Sequence, residues 1–281
     1  MVEQSKSEYS FYNPKKDRWW RSPKKILIGL GTIVTCLGIC VGLYYGYAAF
    51  NNYQINQQVS ANQKADAKMK FKAATAQEKE KNQDLSFTQN DDIPDAKTIQ
   101  RYRALPEKLN HVGLVAVPIQ KGVTTPIKTT WINEGSSNKV LASGAGTIKG
   151  NQVIGIGNFA IEAHTVKFGN NTVLFSPMQH AIDVNKTPKV YLTDGKKIFV
   201  YEFYKESDPI KGRQKLDYSH GEVASDSRVQ NDPLVTMSTC DEEERWDTNT
   251  KSRIIMTGHL VSQVNKYDAS DFEKSLFPQI F

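Results

Sequence analysis

From residue 26 to residue 50 the chain reads ILIGLGTIVTCLGICVGLYYGYAAF, 25 positions without a charged side chain. A bilayer core of about 30 Å takes roughly 20 apolar residues as helix, so this run predicts a spanning segment with room for tilt. Trp19 and Trp20 before it, and Tyr44, Tyr45 and Tyr47 at its far end, suit the two membrane interfaces. A secretory leader is the rival reading. Its apolar part is usually about 7–15 residues long and ends at small residues, whereas this run is longer and Tyr-rich, which favours an uncleaved anchor. Residues 51–104 change to Gln, Asn, Ala and Lys, with Met69 and Phe71 too thin a stripe for a core. They predict a solvated, partly helical stalk, punctuated at its end by Pro94 and Pro106.

Beyond residue 111 the period shortens. Val/Ile/Tyr-rich runs at 112–119, 126–132, 153–163, 188–192, 197–204, 234–238 and 253–264 are separated by turn residues. TDGK at 193–196 is a hairpin signal, with Asp-Gly at the turn. Residues 138–145 and 177–183 read as short helices. The polar stretch 206–232 predicts a loop or helix-bearing insertion, and loops of that length are often functional. Many short strands with few helices predict an all-β, antiparallel barrel or sandwich. The expected domains are a basic tail (1–25), an anchor (26–50), a stalk (51–104) and a β domain (105–281).

Charge changes the picture through its distribution. The chain carries 36 Lys and Arg against 30 Asp and Glu, a net +6 that could suggest nucleic-acid binding. Residues 1–25 hold +4 of it, the apolar run holds none, and 51–281 holds +2. The basic tail therefore sets topology: by the positive-inside rule the N-terminus is cytoplasmic and the β domain extracytoplasmic, which excludes cytosolic nucleic-acid binding.

Three cysteines narrow the chemistry. Cys36 and Cys40 lie in the apolar run, four residues apart on one helical face, and are read as membrane packing. Cys240 is left unpaired in an extracytoplasmic domain, as a reactive thiol or a small buried apolar residue. It ends the run LVTMSTC just before the acidic DEEER loop, a strand-end position that favours a cleft. A thiol near pKa 8.5 needs a base or cation to react, and the acids beside it work the other way. His164, ending GIGNFAIEAH, is the most site-like of the five histidines. His111, His180, His220 and His259 read as surface or packing residues. Arg253 opens the run after Cys240 and would lie beside it on an antiparallel neighbour; Arg245, within the loop, competes.

These residues resemble the sortases, the Gram-positive cell-wall transpeptidases. TMSTC at 236–240 is similar to the family's TLxTC signature, and Ala163-His164 and Arg253 fit it. GLVAVP (113–118), GAGT (144–147), LFSPM (174–178) and KVYLTDGK (189–196) resemble class A members. The likeness spans roughly 105–265. It implies a closed eight-stranded β-barrel in which Cys240 attacks the Thr–Gly bond of an LPXTG-type sorting signal and forms a thioacyl enzyme. An amine of a lipid-linked peptidoglycan precursor then resolves it. It further implies that His164 acts as general acid and base, that Arg253 stabilises the substrate carbonyl or oxyanion, and that Thr239 and Ala163 line the substrate groove.

Some features depart from the family pattern. Met237 stands where the signature has Leu, an apolar exchange expected to be tolerated. Glu162, two before His164, could shift the His pKa or point outward. Residues 145–160 contain no Asp or Glu, so no calcium requirement and no other cofactor is expected. No second apolar span and no lid with an aromatic anchor are seen, which favours class A over class C. Chain order argues against papain-like wall hydrolases, where Cys precedes His, and the Ser-His-Gly motif of L,D-transpeptidases is missing. A tethered, non-catalytic barrel that binds wall polymer, with Cys240 packed, is the alternative from a different class.

Overall fold

The structure is a computed structural model and describes residues 23–66, 68–81, 87, 90–166, 172–217, 220–242 and 249–281. The chain divides into two units, Met1–Phe50 and Asn51–Phe281. Helix α1 runs from Pro23 to Asp66, so the expected anchor is helical and the helix continues into the expected stalk. Within it, Ile26–Asn51 is long and apolar enough to cross a membrane. Leu27, Ile28, Val34 and Leu43 on this stretch are exposed, as side chains that meet lipid would be.

In the second unit, strand β1 (His111–Val117) pairs antiparallel with β2 (Ile127–Asn133) and with β5 (Lys189–Thr193). Strand β5 continues through the TDGK turn into β6 (Lys197–Phe203), with Gly195 at φ 86°, a conformation open to glycine. On the other side β2 pairs in parallel with β3 (Ala145–Thr147), and β3 antiparallel with β4 (Asn158–Glu162). Strand β4 then pairs in parallel with β8 (Leu234–Cys240), and β8 antiparallel with the 14-residue β9 (Ser252–Asn265). The second half of β9 returns to β6 and closes an eight-stranded barrel, which leaves the ring without a free edge. A ninth strand, β7 (Arg213–Asp217), lies along the outer side of the first half of β9.

Where element boundaries differ from those expected, backbone chemistry explains the difference. The helix expected over 138–145 is α4 (Asn138–Ser143), which stops so that β3 can enter the sheet. At Gly146 a Cβ would sit 2.2 Å from the Gly135 carbonyl oxygen, an approach only glycine allows. The run 153–163 becomes a strand only from Asn158, because Gly155 and Gly157 turn the chain at φ 86° and 62°. The helix expected over 177–183 is a single 3-10 turn, Ser176–Met178. The polar insertion carries β7, helix α5 (His220–Ala224) and a 3-10 turn at Asp226–Arg228. Part of the expected stalk also packs on the barrel. Helix α2 is Ala76–Lys81, and α3 (Ala96–Arg103) buries Ala96 and Ile99 against Ala142, Val166 and Val173.

The barrel interior is filled by one cluster that includes Val115, Ile132, Phe159, Ile161, Leu192, Tyr201, Val235, Met237, Ile254 and Met256. With a period of two, the intervening residues of β4, β8 and β9 face outward. That outer face carries the candidate site.

Candidate active site

The site is a product of register. Strands β4 and β8 pair Asn158 with Leu234 through to Glu162 with Ser238, and β8 and β9 pair Ser238 with Ile255 and Cys240 with Arg253. Residues of one parity therefore form rows across the outer face. One row is Ala160, Thr236 and Thr257; another is Glu162, Ser238 and Ile255. Carrying the parallel register two residues beyond Glu162 sets His164 beside Cys240, with Arg253 on the far side. Cys240, His164 and Arg253 thus meet at one end of the face. At the other end the insertion covers it: Arg228 donates to the hydroxyls of Thr236 (3.2 Å) and Thr257 (3.0 Å), and Val223 packs on Ile255.

Above Cys240 runs a second layer that the sequence did not lead us to expect, residues 90–94. The Cys240 thiol lies 3.7 Å from the Asn90 carbonyl oxygen and 3.6 Å from that of Asp92, the acceptors for its proton. Arg253 donates to the Asn90 carbonyl (2.9 Å) and to the Asp91 carboxylate (2.5 Å), and also to the Thr250 carbonyl (2.6 Å). The Asp92 backbone accepts from the His164 ring. All three groups are held by the same strap. The strap is itself tied down, since Asp91 accepts from the Thr250 amide (2.9 Å), Asp92 bridges to Asn249, and Tyr102 donates to the Asp92 carboxylate (2.8 Å). Ile93 and Pro94 are buried, and Asp95 caps α3 by accepting from the Thr98 amide. A covering segment thus precedes the barrel, whereas the expectation concerns only a lid carrying an aromatic anchor.

Enclosure sets the electrostatics. Cys240 is 4% exposed, and burial pushes its thiol up to about 12, with Arg253 opposing and Glu162, Asp91 and Asp92 adding to the rise. His164 is 2% exposed, and burial pulls it from 6.5 to about 4; Asp92 resists this and Arg253 reinforces it. Its Nε2 is buried without a hydrogen-bond partner among the described residues, and Tyr102 stacks over the ring. Thiol and imidazole are therefore both neutral here. Loss of the thiol proton is disfavoured while the strap lies over Cys240.

The remaining expected site residues fall elsewhere. Thr239 and Ala163 have the parity of the interior, so they do not line the outer groove. Ala163 belongs to the barrel core, and the Thr239 hydroxyl donates to the Ala163 carbonyl (2.8 Å), tying β8 to the end of β4. Glu162 lies on the outer face of the barrel but is covered and buried rather than solvent-exposed, and its charge acts on Cys240 and Arg253. Arg245 and most of the acidic loop, residues 243–248, lie outside the described residues. His111 meets Asn133 (2.7 Å) and packs on Trp131, His259 packs on Tyr204, and His180 is exposed. The strap and Tyr102 were missed because no periodicity marks them; the one local signal is the Asp95–Thr98 cap, a helix start. Among the described residues no cluster of His, Cys, Asp and Glu is arranged to hold a metal ion.

Comparison with known proteins supplies the family. The sortase domain profile matches residues 117–261, more than half of the chain. Sortase A of Streptococcus agalactiae is 29% identical over 244 residues, covering 84% of this chain and 88% of the relative. Sortase A of Bacillus anthracis is 25% identical over 229 residues, covering 82% and 93%. A solved structure of Listeria monocytogenes sortase A is 23% identical and covers 60% of this chain and 97% of that one, at a TM-score of 0.46. With a closed eight-stranded barrel and the matched domain spanning β2 through most of β9, the chain belongs to the sortase family and is a sortase-type transpeptidase.

Proposed function

We propose that the protein is a class A sortase anchored in the membrane of a Gram-positive bacterium, with its N-terminus cytoplasmic and the barrel outside. Its donors are surface proteins bearing an LPXTG-type signal, and its acceptor is an amine of a lipid-linked peptidoglycan precursor. The observation that carries this reading is the pairing of Cys240 with Arg253 on the face that also presents His164. The family relatives named sortase A support the class, and the apolar stretch of α1 supports the anchor. Nucleic acid has no part in the reaction, and no metal, calcium included, is assigned one.

In the first step the Cys240 sulfur attacks the Thr carbonyl carbon of the scissile Thr–Gly bond. A C–S bond forms, and the C–N bond breaks once the thiol proton has passed, through His164, to the departing amine. Arg253 donates to the carbonyl oxygen as negative charge gathers on it. The guanidinium suits this because its donors form a fixed fork and its charge does not titrate. In the second step the acceptor amine attacks the thioester; the C–N bond forms, the C–S bond breaks, and the amine's proton returns to sulfur through His164. The donor must lie where residues 90–92 now lie, so the strap leaves before the first step. Opening admits water, which lowers the thiol pKa and raises that of the imidazole, so access and activation come together.

The test is to incubate the full-length chain with a fluorogenic LPXTG peptide, with and without a Gly- or Ala-type amine. Cleavage that requires Cys240, with transfer when the amine is present, is expected. No cleavage, or equal cleavage by Cys240→Ala, would refute the assignment and leave the non-catalytic wall-binding barrel as the better account.

A further inference from the structure

The parallel ladder between β4 and β8 does not stop where β4 stops. Its last backbone bond is from the Ala163 amide to the Ser238 carbonyl (3.2 Å). In a parallel pair each alternate residue donates to one partner carbonyl and accepts from the amide two residues further on. The next rung would therefore come from Thr165, donating to the Cys240 carbonyl and accepting from the Glu242 amide. Beyond His164 the chain instead turns off toward Ser176, whose hydroxyl accepts from the Val166 amide (3.0 Å). Thr165 no longer follows β8.

Gln179 takes that rung. Its Nε2 donates to the Cys240 carbonyl (2.7 Å), and its Oε1 accepts from the Glu242 amide (3.4 Å). One side-chain amide thus reproduces the donor and the acceptor of the missing peptide unit. The side chain is 3% exposed, and its own backbone is fixed by Arg213 of β7, whose guanidinium donates to the carbonyls of Met178 (3.3 Å) and Gln179 (2.9 Å). On the other side of Cys240 the ladder is complete, with the Asp241 amide donating to the Ser252 carbonyl (3.0 Å) and Lys215 paired to the Asp241 carboxylate (2.8 Å).

We infer that Gln179 is a positioning residue for the nucleophile, holding the Cys240–Glu242 backbone in sheet geometry while β4 turns away after His164. The arrangement answers a geometric conflict. The segment that carries His164 must leave the sheet beside Cys240, yet the Cys240 peptide must stay in register for Arg253 to face the same carbonyl as the sulfur. A mobile Cys240 peptide would swing Sγ relative to both partners, and displacements near 1 Å in a reacting group lower rates by about 10²-fold. Gln179 touches neither the substrate nor the reacting atoms, so its loss acts on kcat rather than on KM.

The inference rests on the transpeptidase reading, and the test separates the two. The full-length chain, Gln179→Leu and Gln179→Glu are assayed with an LPXTG peptide and an amine between pH 5 and pH 8. Gln179→Leu keeps the size and loses both bonds; we expect kcat to fall about 10- to 100-fold with KM within about twofold. Gln179→Glu is the more telling variant. Its carboxylate cannot donate to the Cys240 carbonyl, so at pH 8 it matches the Leu variant. Once protonated it offers an O–H donor and an acceptor in the amide's place, so its rate relative to wild type at the same pH climbs toward pH 5. The charged groups near it are Arg213, the Lys215–Asp241 pair, Glu242 and the adjacent His180. They are common to all three chains, so the ratio to wild type isolates position 179. Should Gln179→Leu fail to fold, the pH-dependent recovery of Gln179→Glu decides alone. Wild-type turnover with Gln179→Leu kcat within twofold, a loss confined to KM, or a Gln179→Glu profile parallel to that of Gln179→Leu overturns the inference and leaves the function intact. No turnover by the wild-type chain overturns both.

Discussion

The floor of the site and the strap above it hold the same three side chains by different means. Beneath, Cys240 and Arg253 face each other on the last rung of a ladder that runs unbroken from Leu234–His259 to Cys240–Arg253, inside a sheet that closes on itself. Above, among the described residues, residues 90–92 are held by a bridge to Asn249, a backbone bond from Thr250, and the side chains of Tyr102, Arg253, Asn138, Cys240 and His164. Elements with few buried apolar contacts and few ladder bonds open at low free energy, whereas closed-barrel strands open close to the global limit. The floor keeps catalytic geometry fixed; the strap can be exchanged for substrate. The strap also dictates the resting protonation, because it is what completes the burial of Cys240 and His164.

The contrast can be attacked from either side. On the floor, His164→Ala should lower the acylation rate by about 10²–10⁴-fold, the range for loss of a positioned acid–base group, with the Cys240 thiol still present to titration. A fall of less than tenfold would remove His164 from the chemistry. Arg253→Lys keeps charge without the fork and should lower kcat about 10²-fold. Near-wild-type turnover would move the role to Arg245.

Protonation gives the third test. Folding holds His164 near 4 against 6.5 when free, so as pH drops below 6.5 the unfolded chain takes up this proton first. Stability therefore falls from pH 6.5 toward pH 4, by about 3 kcal/mol for this group if the strap stays closed. Wild-type Tm should drop more steeply over that window than that of His164→Asn, and parallel curves would contradict a closed, buried imidazole. The smallest effect belongs to the strap. Asp91→Ala removes a half-exposed partner of Arg253 and should speed iodoacetamide alkylation of Cys240 by about three- to tenfold, since exposed ion pairs contribute up to roughly 1 kcal/mol. An unchanged rate would mean that the strap is held by its backbone and by Tyr102 alone.

These two layers also differ in how far the sequence reveals them. The outer-face triad is legible because strand periodicity fixes parity: TMSTC and the run from Arg253 are strands whose alternation can be counted. The same counting places Thr239 and Ala163 inside, a step that motif likeness alone passes over. Strand β3 is hidden because three residues hold no period and the preceding helix reads straight through them. Strand β7 is hidden because Arg213–Asp217 is polar on both faces, so it lacks the alternation of a half-buried strand. The strap is hidden for a different reason: Asn90–Pro94 is placed by carbonyls and carboxylates whose partners lie up to 163 residues away along the chain, which no local pattern encodes. Gln179 is likewise silent, one amide in a 3-10 turn whose meaning depends on where β4 departs.

The most direct measurement is intact and peptide-level mass spectrometry of the full-length chain incubated with an LPXTG peptide and no amine. The account predicts an acyl adduct ending in Thr on the peptide that contains Cys240, formed faster in Asp91→Ala than in wild type and discharged when a Gly-type amine is added. No adduct in either chain, an adduct that persists in Cys240→Ala, or one that the amine cannot discharge would contradict it.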